Sequence, residues 1–176
     1  MAVSSSSSQS RVPYMIYRVG GHKYALPVSS VIEVTLSGKL LPFADTAPYV
    51  VGITNYRSIV IPVVDTVKRF SLPSDAGGDK GYTVIIEVET DCGRQVFGAL
   101  VDKVIFVGEF ARDEVKPVDC QQGEPFFDTY IKGVIEQDGE FVLVINPEKI
   151  ISKEDFSAVS EAVAMRYLTQ TESDEA

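Results

Sequence analysis

The chain has 176 residues, 45% of them hydrophobic and 23% charged, with a net charge of −9 and a pI near 4.6. That is one ordinary domain with enough apolar material for a real core. The acidic balance repels phosphate backbones and anionic lipid surfaces, and the basic residues are scattered singly, which sets the chain against nucleic-acid binding.

The first 12 residues are serine-rich and read as a disordered leader, with neither the basic start nor the apolar centre of a secretory signal. "YMIYRV" and "HKYALPV" then flank Gly20-Gly21, a hairpin signal, because the tightest hairpin turns need positive φ. "VIEV" follows, then "VVGIT" and "SIVIPVV" around the lone cation Arg57. "LPSDAGGDKGY" is the longest glycine-rich connection and reads as a boundary between halves, roughly 13–75 and 80–150. "YTVIIEVE" and "RQVFGALVD" flank Asp91-Cys92-Gly93, and "KVIFVGEF" is a further strand. "IKGVIEQ" and "EFVLVIN" flank Asp138-Gly139, the strongest short turn signal in the chain. About ten short strands with regular turns predict a barrel or sandwich. One helix is predicted over 152–168, with Ser152 as cap, Glu154 and Asp155 in its first turn, and Phe156, Val159, Val163 and Tyr167 as its apolar stripe. Residues 169–176 read as a loose acidic tail.

The chemistry of an enzyme is not visible. There is no phosphate-binding GxxxxGK[ST] loop and no GxSxG elbow. The glycines and lysine of "GGDKG" have the wrong spacing. The single histidine, His22, stands beside a hairpin turn with no nucleophile implicated. Cys92 and Cys120 form no metal-binding spacing and read as reduced thiols, so no metal or other cofactor is expected. Asp65 ends an apolar run as a phosphoacceptor does in receiver domains, but the alternating helices of that fold are missing, and it reads as the cap of "TVKRF". No stretch approaches the ~18 apolar residues of a membrane span, so no membrane insertion is expected and the default location is cytoplasmic. A binding module is the leading reading. A small β-barrel enzyme with a hidden acid pair and an SH3-like nucleic-acid binder are the competitors.

Five segments in register over most of the chain resemble the CheW-like family of bacterial chemotaxis coupling proteins. They are "YALPVSSVIEV", "PYVVGITNYRSIVIPVVDTVKRF", "VFGALVDKV", "YIKGV" and "FVLVINPEKII". The second is similar to the family's G-x-x-N-L-R-G followed by V-I-P-V-x-D-L. The resemblance implies a mainly β fold of two packed five-stranded SH3-like barrels with partly shared strands, plus short helices and the C-terminal helix. It also implies a stand-alone, non-catalytic adaptor that couples the cytoplasmic tip of chemoreceptors to the regulatory domain of a CheA-type histidine kinase at membrane-associated arrays.

The same resemblance nominates site residues. Arg57 falls on the family's arginine and Glu33 on an acidic position, and the two are expected to pair across the floor of a receptor groove between the barrels. Val31, Val34, Gly52, Val84 and Ile150 are expected as its apolar walls. Leu26, Val28 and Ile32, on another part of the first barrel, are the candidates for kinase contact. Two departures stand out: Tyr56 where leucine is usual and Ser58 where glycine is common. They point to a reshaped groove, and a parallel pathway such as type IV pilus or gliding motility is the alternative to flagellar chemotaxis.

Overall fold

Three of the tight turns fall where the local chemistry asks for them. Gly20 and Gly21 turn β1 (Arg11–Val19) into β2 (His22–Pro27) with φ of 57° and 83°. Asp138 and Gly139 turn β9 (Ile131–Gln137) into β10 (Glu140–Ile145) with φ of 51° and 75°. Asp91 and Cys92 separate β6 (Tyr82–Thr90) from β7 (Gly93–Val101). The remaining strands are β3 (Val31–Leu36), β4 (Val50–Tyr56), β5 (Ile59–Asp65) and β8 (Lys103–Ala111). The structure is a computed structural model and describes residues 10–42, 46–71, 80–119 and 129–174, with side chains as far as 166.

The ten strands form two five-stranded sheets, ordered β8-β1-β2-β10-β9 and β3-β6-β7-β5-β4. The predicted class, mainly β with two five-stranded units, is what forms. The predicted division is not. β5 and β6, on either side of the glycine-rich connection, belong to one sheet, while the first two and last three strands make the other. Four pairings cross that boundary: β1 with β8 and β3 with β6, both antiparallel, and β2 with β10 and β5 with β7, both parallel. Such pairings join strands far apart in sequence and leave no local signal.

The two units repeat one plan. Each has an antiparallel pair (β1–β2, β6–β7), a parallel neighbour (β10, β5), and that neighbour's hairpin partner on the outside (β9, β4). Each is closed by the segment that follows its other outer strand. Leu41, beyond β3, exchanges two backbone hydrogen bonds with Ile53 of β4, at 3.0 and 2.9 Å. Lys116, beyond β8, does the same with Val134 of β9, at 2.9 and 2.8 Å. Closure removes the open edges that otherwise invite aggregation.

Successive residues of the central strands face different cores. Met15, Tyr17 and Val19 of β1 join Val84, Ile86 and Val88 of β6 in a core shared by both sheets. Ile16 between them faces the interior of the first barrel with Phe110, Ile135 and Val142. Tyr17 and Tyr24 are buried in the shared core, their rings 5.8 Å apart, and Phe70 lies 5.5 Å from Tyr24. Burial pushes the Tyr24 hydroxyl up to about 12 and Tyr17 higher still. Unfolded tyrosines ionise near 10. Between these pH values the unfolded chain has lost protons that the folded chain retains, so stability is full below pH ~10 and falls as pH rises. Absorbance titration is expected to show Tyr17 and Tyr24 among the tyrosines that ionise only late, with alkaline unfolding.

Asp65 caps α1 (Thr66–Arg69) as expected, accepting from the backbone N–H of Val67 at 3.0 Å and Lys68 at 3.3 Å. It also pairs with Lys80. The C-terminal helix, α2 (Lys153–Asp174), begins at the predicted cap. Asp155 N–H donates to Ser152 Oγ at 3.1 Å, and Ser152 N–H donates back to the Asp155 carboxylate at 3.2 Å. Phe156 and Val159 are buried, and Val163 packs against Val50 and Ile53. The side chain of Tyr167 lies outside the described residues. The helix runs on to Asp174, so residues 169–174 are helical rather than a loose tail. At the other end β1 starts at Arg11, inside the predicted leader, whose residues 1–9 lie outside the described ones.

Candidate partner-binding surfaces

The β4–β5 hairpin carries the lone arginine at its turn. Arg57 and Ser58 have φ of 45° and 68°, so both occupy the left-handed region. The equivalent turn of the other barrel uses Asp138 and Gly139 for the same geometry. The side-chain carbonyl of Asn55 accepts from the Ser58 N–H at 3.1 Å and supports the turn. Serine thus retains the turn that glycine would form, at a strain of about 1 kcal/mol. Ser58→Gly is expected to raise stability by about that amount, read as a shift in denaturant midpoint.

The turn holds Arg57 against Glu33. Arg57 Nη2 donates to Glu33 Oε2 at 2.9 Å, and the Tyr56 hydroxyl donates to the same oxygen at 3.1 Å. The guanidinium carbon lies 5.1 Å from the Tyr56 ring centre. Partial desolvation and the bond to Glu33 raise the Tyr56 hydroxyl above its usual range. The predicted pair is therefore made, and Tyr56, the first departure, is its third member. Its place differs from the one predicted. β3 and β4 are the two outer strands of the second barrel, so the pair clasps that barrel instead of flooring a groove between two.

The seam between the barrels is marked by register. Paired residues on adjacent strands point to one face. Val31 pairs with Ile86, Val34 with Val84 and Leu36 with Tyr82. Val84 and Ile86 are fully buried in the shared core, so Val31, Val34, Leu36 and Tyr82 continue its face towards solvent. Val34 is 37% exposed, Leu36 76% and Tyr82 37%. In the first barrel Met15 of the shared core pairs with Val107, which is 60% exposed. Outer strands β3 and β8, equivalent in the two barrels, thus both carry the shared apolar face to the surface. Glu33 pairs with Ile85 and lies on the other face of β3.

The remaining candidates separate by burial. Val84 and Ile150 are each 0% exposed and Leu26 1%, so none is a contact residue; all three are structural core. Leu26 and Val84 lie on strands buried on both faces, which give no alternation to separate wall from core, and Ile150 ends the helical turn that follows β10. Gly52 is buried beneath the closing segment: a Cβ there would meet the Leu41 carbonyl oxygen at 2.6 Å. It serves barrel closure and presents no wall. Val28 is half-buried against the shared core, and Ile32, displaced outward by the irregular pairing of β3, is 36% exposed. Leu36, Tyr82 and Val107 escaped the sequence reading, although Leu36 shares the parity of Val34.

A cleft of about 510 Å³ lies between the β6–β7 turn and the start of α2, lined by Glu89, Asp91, Glu148 and Lys153 among others. Its carboxylates are all exposed, so none is set in the dry surroundings that tune an acid–base pair. Among the described residues no group of three His, Cys, Asp or Glu could hold a metal ion, and no helix is long and apolar enough to cross a membrane. Cys92 and His22 are exposed at hairpin turns; Cys120 lies outside the described residues.

Comparison with known proteins converges. The sequence profile of the CheW-like domain matches residues 13–155. "Chemotaxis protein CheW" of Bacillus subtilis is 27% identical over 146 residues, covering 80% of this chain and 86% of that protein. "Chemotaxis protein CheW" of Klebsiella aerogenes is 22% identical, covering 83% and 85%. "Protein FrzA" of Myxococcus xanthus is 25% identical over 78% and 84%. The crystal structure of the scaffolding protein TtCheW from Thermoanaerobacter tengcongensis superposes with a TM-score of 0.69, at 21% identity, over 85% of this chain and 94% of that one. At that identity the superposition speaks for the fold.

Proposed function

Because the chain belongs to the CheW-like domain family, we propose that it couples chemoreceptors to a CheA-type histidine kinase as a scaffolding adaptor of chemotaxis signalling. The reading rests most on one observation: the core shared by the two barrels runs out to solvent on the outer strands β3 and β8. Exposed apolar strips with polar surroundings are what a soluble protein retains for a partner. The receptor's helical tip would lie on Val31, Val34, Leu36, Tyr82 and Val107, as an amphipathic helix lies in an apolar groove. Arg57, whose side chain is 69% exposed, would offer its remaining N–H groups to a partner carboxylate. The regulatory domain of the kinase would contact the second barrel near Val28 and Ile32. An adaptor of this kind acts by holding partners together and needs no catalytic group; it would work in the cytoplasm at membrane-associated receptor arrays. The departures at Tyr56 and Ser58 favour a second reading, an adaptor of a parallel pathway such as type IV pilus or gliding motility.

Calorimetric titration of the purified protein with a CheA-type regulatory domain, and separately with a receptor cytoplasmic fragment, tests the proposal. Micromolar binding to both, about −8 kcal/mol each, is expected. Binding to neither would remove the coupling function.

A further inference from the structure

One cation, Arg69, bridges the two barrels beside their shared core. From residue 49 to residue 69 the second barrel matches the first at one constant offset, 81 residues, the separation of Arg69 and Ile150. By that offset Tyr49 corresponds to Tyr130, Asp65 to Asn146 and the Arg57-Ser58 turn to Asp138-Gly139. The correspondence is physical as well as numerical. The N–H of Asp65 donates to the Tyr49 carbonyl at 2.8 Å, and that of Asn146 to the Tyr130 carbonyl at 2.8 Å. Asp65 and Asn146 each cap the helical turn that follows.

Arg69 breaks this repeat. Its counterpart Ile150 is fully buried and apolar. The Arg69 guanidinium stands between the two equivalent tyrosines, 4.2 Å from the Tyr49 ring centre and 5.1 Å from that of Tyr130. Its Nε donates to the carbonyl of Ile150 at 2.6 Å and its Nη2 to the carbonyl of Lys149 at 3.1 Å. A helical turn leaves its last carbonyls without internal donors, and a planar guanidinium fork can serve two at once. A residue bonded to its own counterpart lies where the two matching segments meet. Tyr49 extends the junction to the C-terminal helix, because its hydroxyl donates to Asp155. Burial, then this bond, push that hydroxyl up to about 12.

We infer that Arg69 is a positioning residue for partner recognition: it fixes the angle between the barrels, and with it the relative placement of the outer strands β3 and β8. The functional half of this inference rests on the proposed coupling function; the geometric half does not. A partner that touches both strands reads the angle, whereas one that touches a single barrel does not.

The test measures the angle directly. Nitroxide labels at Ile59→Cys on β5 and Lys132→Cys on β9, with Cys92→Ser and Cys120→Ser, report the inter-barrel distance by pulsed electron resonance. A single narrow distribution is expected for the parent. Arg69→Met, which retains the stem without the fork, is expected to broaden or shift it. In the unlabelled protein the same variant is expected to weaken a receptor cytoplasmic fragment at least tenfold and leave the kinase regulatory domain within twofold. If Arg69→Met does not fold, Tyr130→Leu removes one ring, retains the carbonyl bonds and carries the same test. A folded variant with the parent distribution overturns the inference. So does a shifted distribution with receptor affinity unchanged. Failure of the parent itself to bind the fragment would strike the coupling function and leave the distance result standing.

Discussion

Arg57→Glu is expected to fold and to lose its partner. The ion pair that it breaks is exposed on both sides, 69% for Arg57 and 35% for Glu33. Such pairs contribute about 1 kcal/mol at most, or roughly 2–4 °C in Tm for a chain of this size. The left-handed turn is no worse for glutamate than for arginine, and Tyr56 still reaches Glu33. An arginine that pairs with a partner carboxylate, by contrast, is worth about 2 kcal/mol or more, so the partner that Arg57 touches should bind roughly thirtyfold more weakly or worse. The clasp and the contact can be told apart by exchanging the charges. Glu33→Arg combined with Arg57→Glu restores an attractive pair between β3 and the hairpin. Recovery of Tm without recovery of binding is expected if the guanidinium itself touches the partner. Recovery of both would mean that Arg57 acts only by closing the barrel.

What the sequence made legible follows the range of the interaction. The turns at Gly20-Gly21 and Asp138-Gly139 were readable because positive φ selects residue types locally. The Asp65 and Ser152 caps were readable for the same reason, since the side chain bonds a backbone group two or three residues away. The partnership of Glu33 with Arg57 spans 24 residues and came only through family resemblance. The assignment of strands to barrels is out of reach of local signals, because β1–β8, β2–β10, β3–β6 and β5–β7 all pair distant segments. Burial of Leu26 and Val84 is equally hidden: β2 and β6 have apolar residues on both faces, and periodicity does not say which face meets solvent. The helix overran its predicted end because no glycine or proline follows Leu168 to stop it.

Gly52→Ala is expected to cost about 3 kcal/mol, at the upper end for one added methyl group in a packed site. The added Cβ would stand 2.6 Å from the carbonyl oxygen of Leu41 and 3.1 Å from the Leu40 Cβ. That carbonyl cannot simply withdraw, since it accepts the Ile53 N–H at 2.9 Å in the bridge that closes the second barrel. Either the methyl group is compressed or the closing bonds are lost, and Tm should fall by roughly 6–12 °C. Gly133 holds the same place in the first barrel. There a Cβ would meet Val115 Cγ1 at 2.7 Å and the Lys116 carbonyl oxygen at 2.9 Å. That carbonyl is bonded too, accepting the Val134 N–H at 2.8 Å, but the Cβ presses on it less, at 2.9 Å against 2.6 Å, so Gly133→Ala should cost less, about 1–2 kcal/mol. At Gly38 a Cβ would meet nothing within 4 Å, and alanine there should be neutral. Thermal melts of the three variants test this order. Gly52 also decides how a binding defect is to be read. A glycine buried under its own chain reaches a partner only by displacing the Leu40–Leu41 segment, so lost affinity in Gly52→Ala must come with lost stability. Lost affinity at an unchanged Tm would mean that the closing segment opens in the bound state and that Gly52 faces the partner after all.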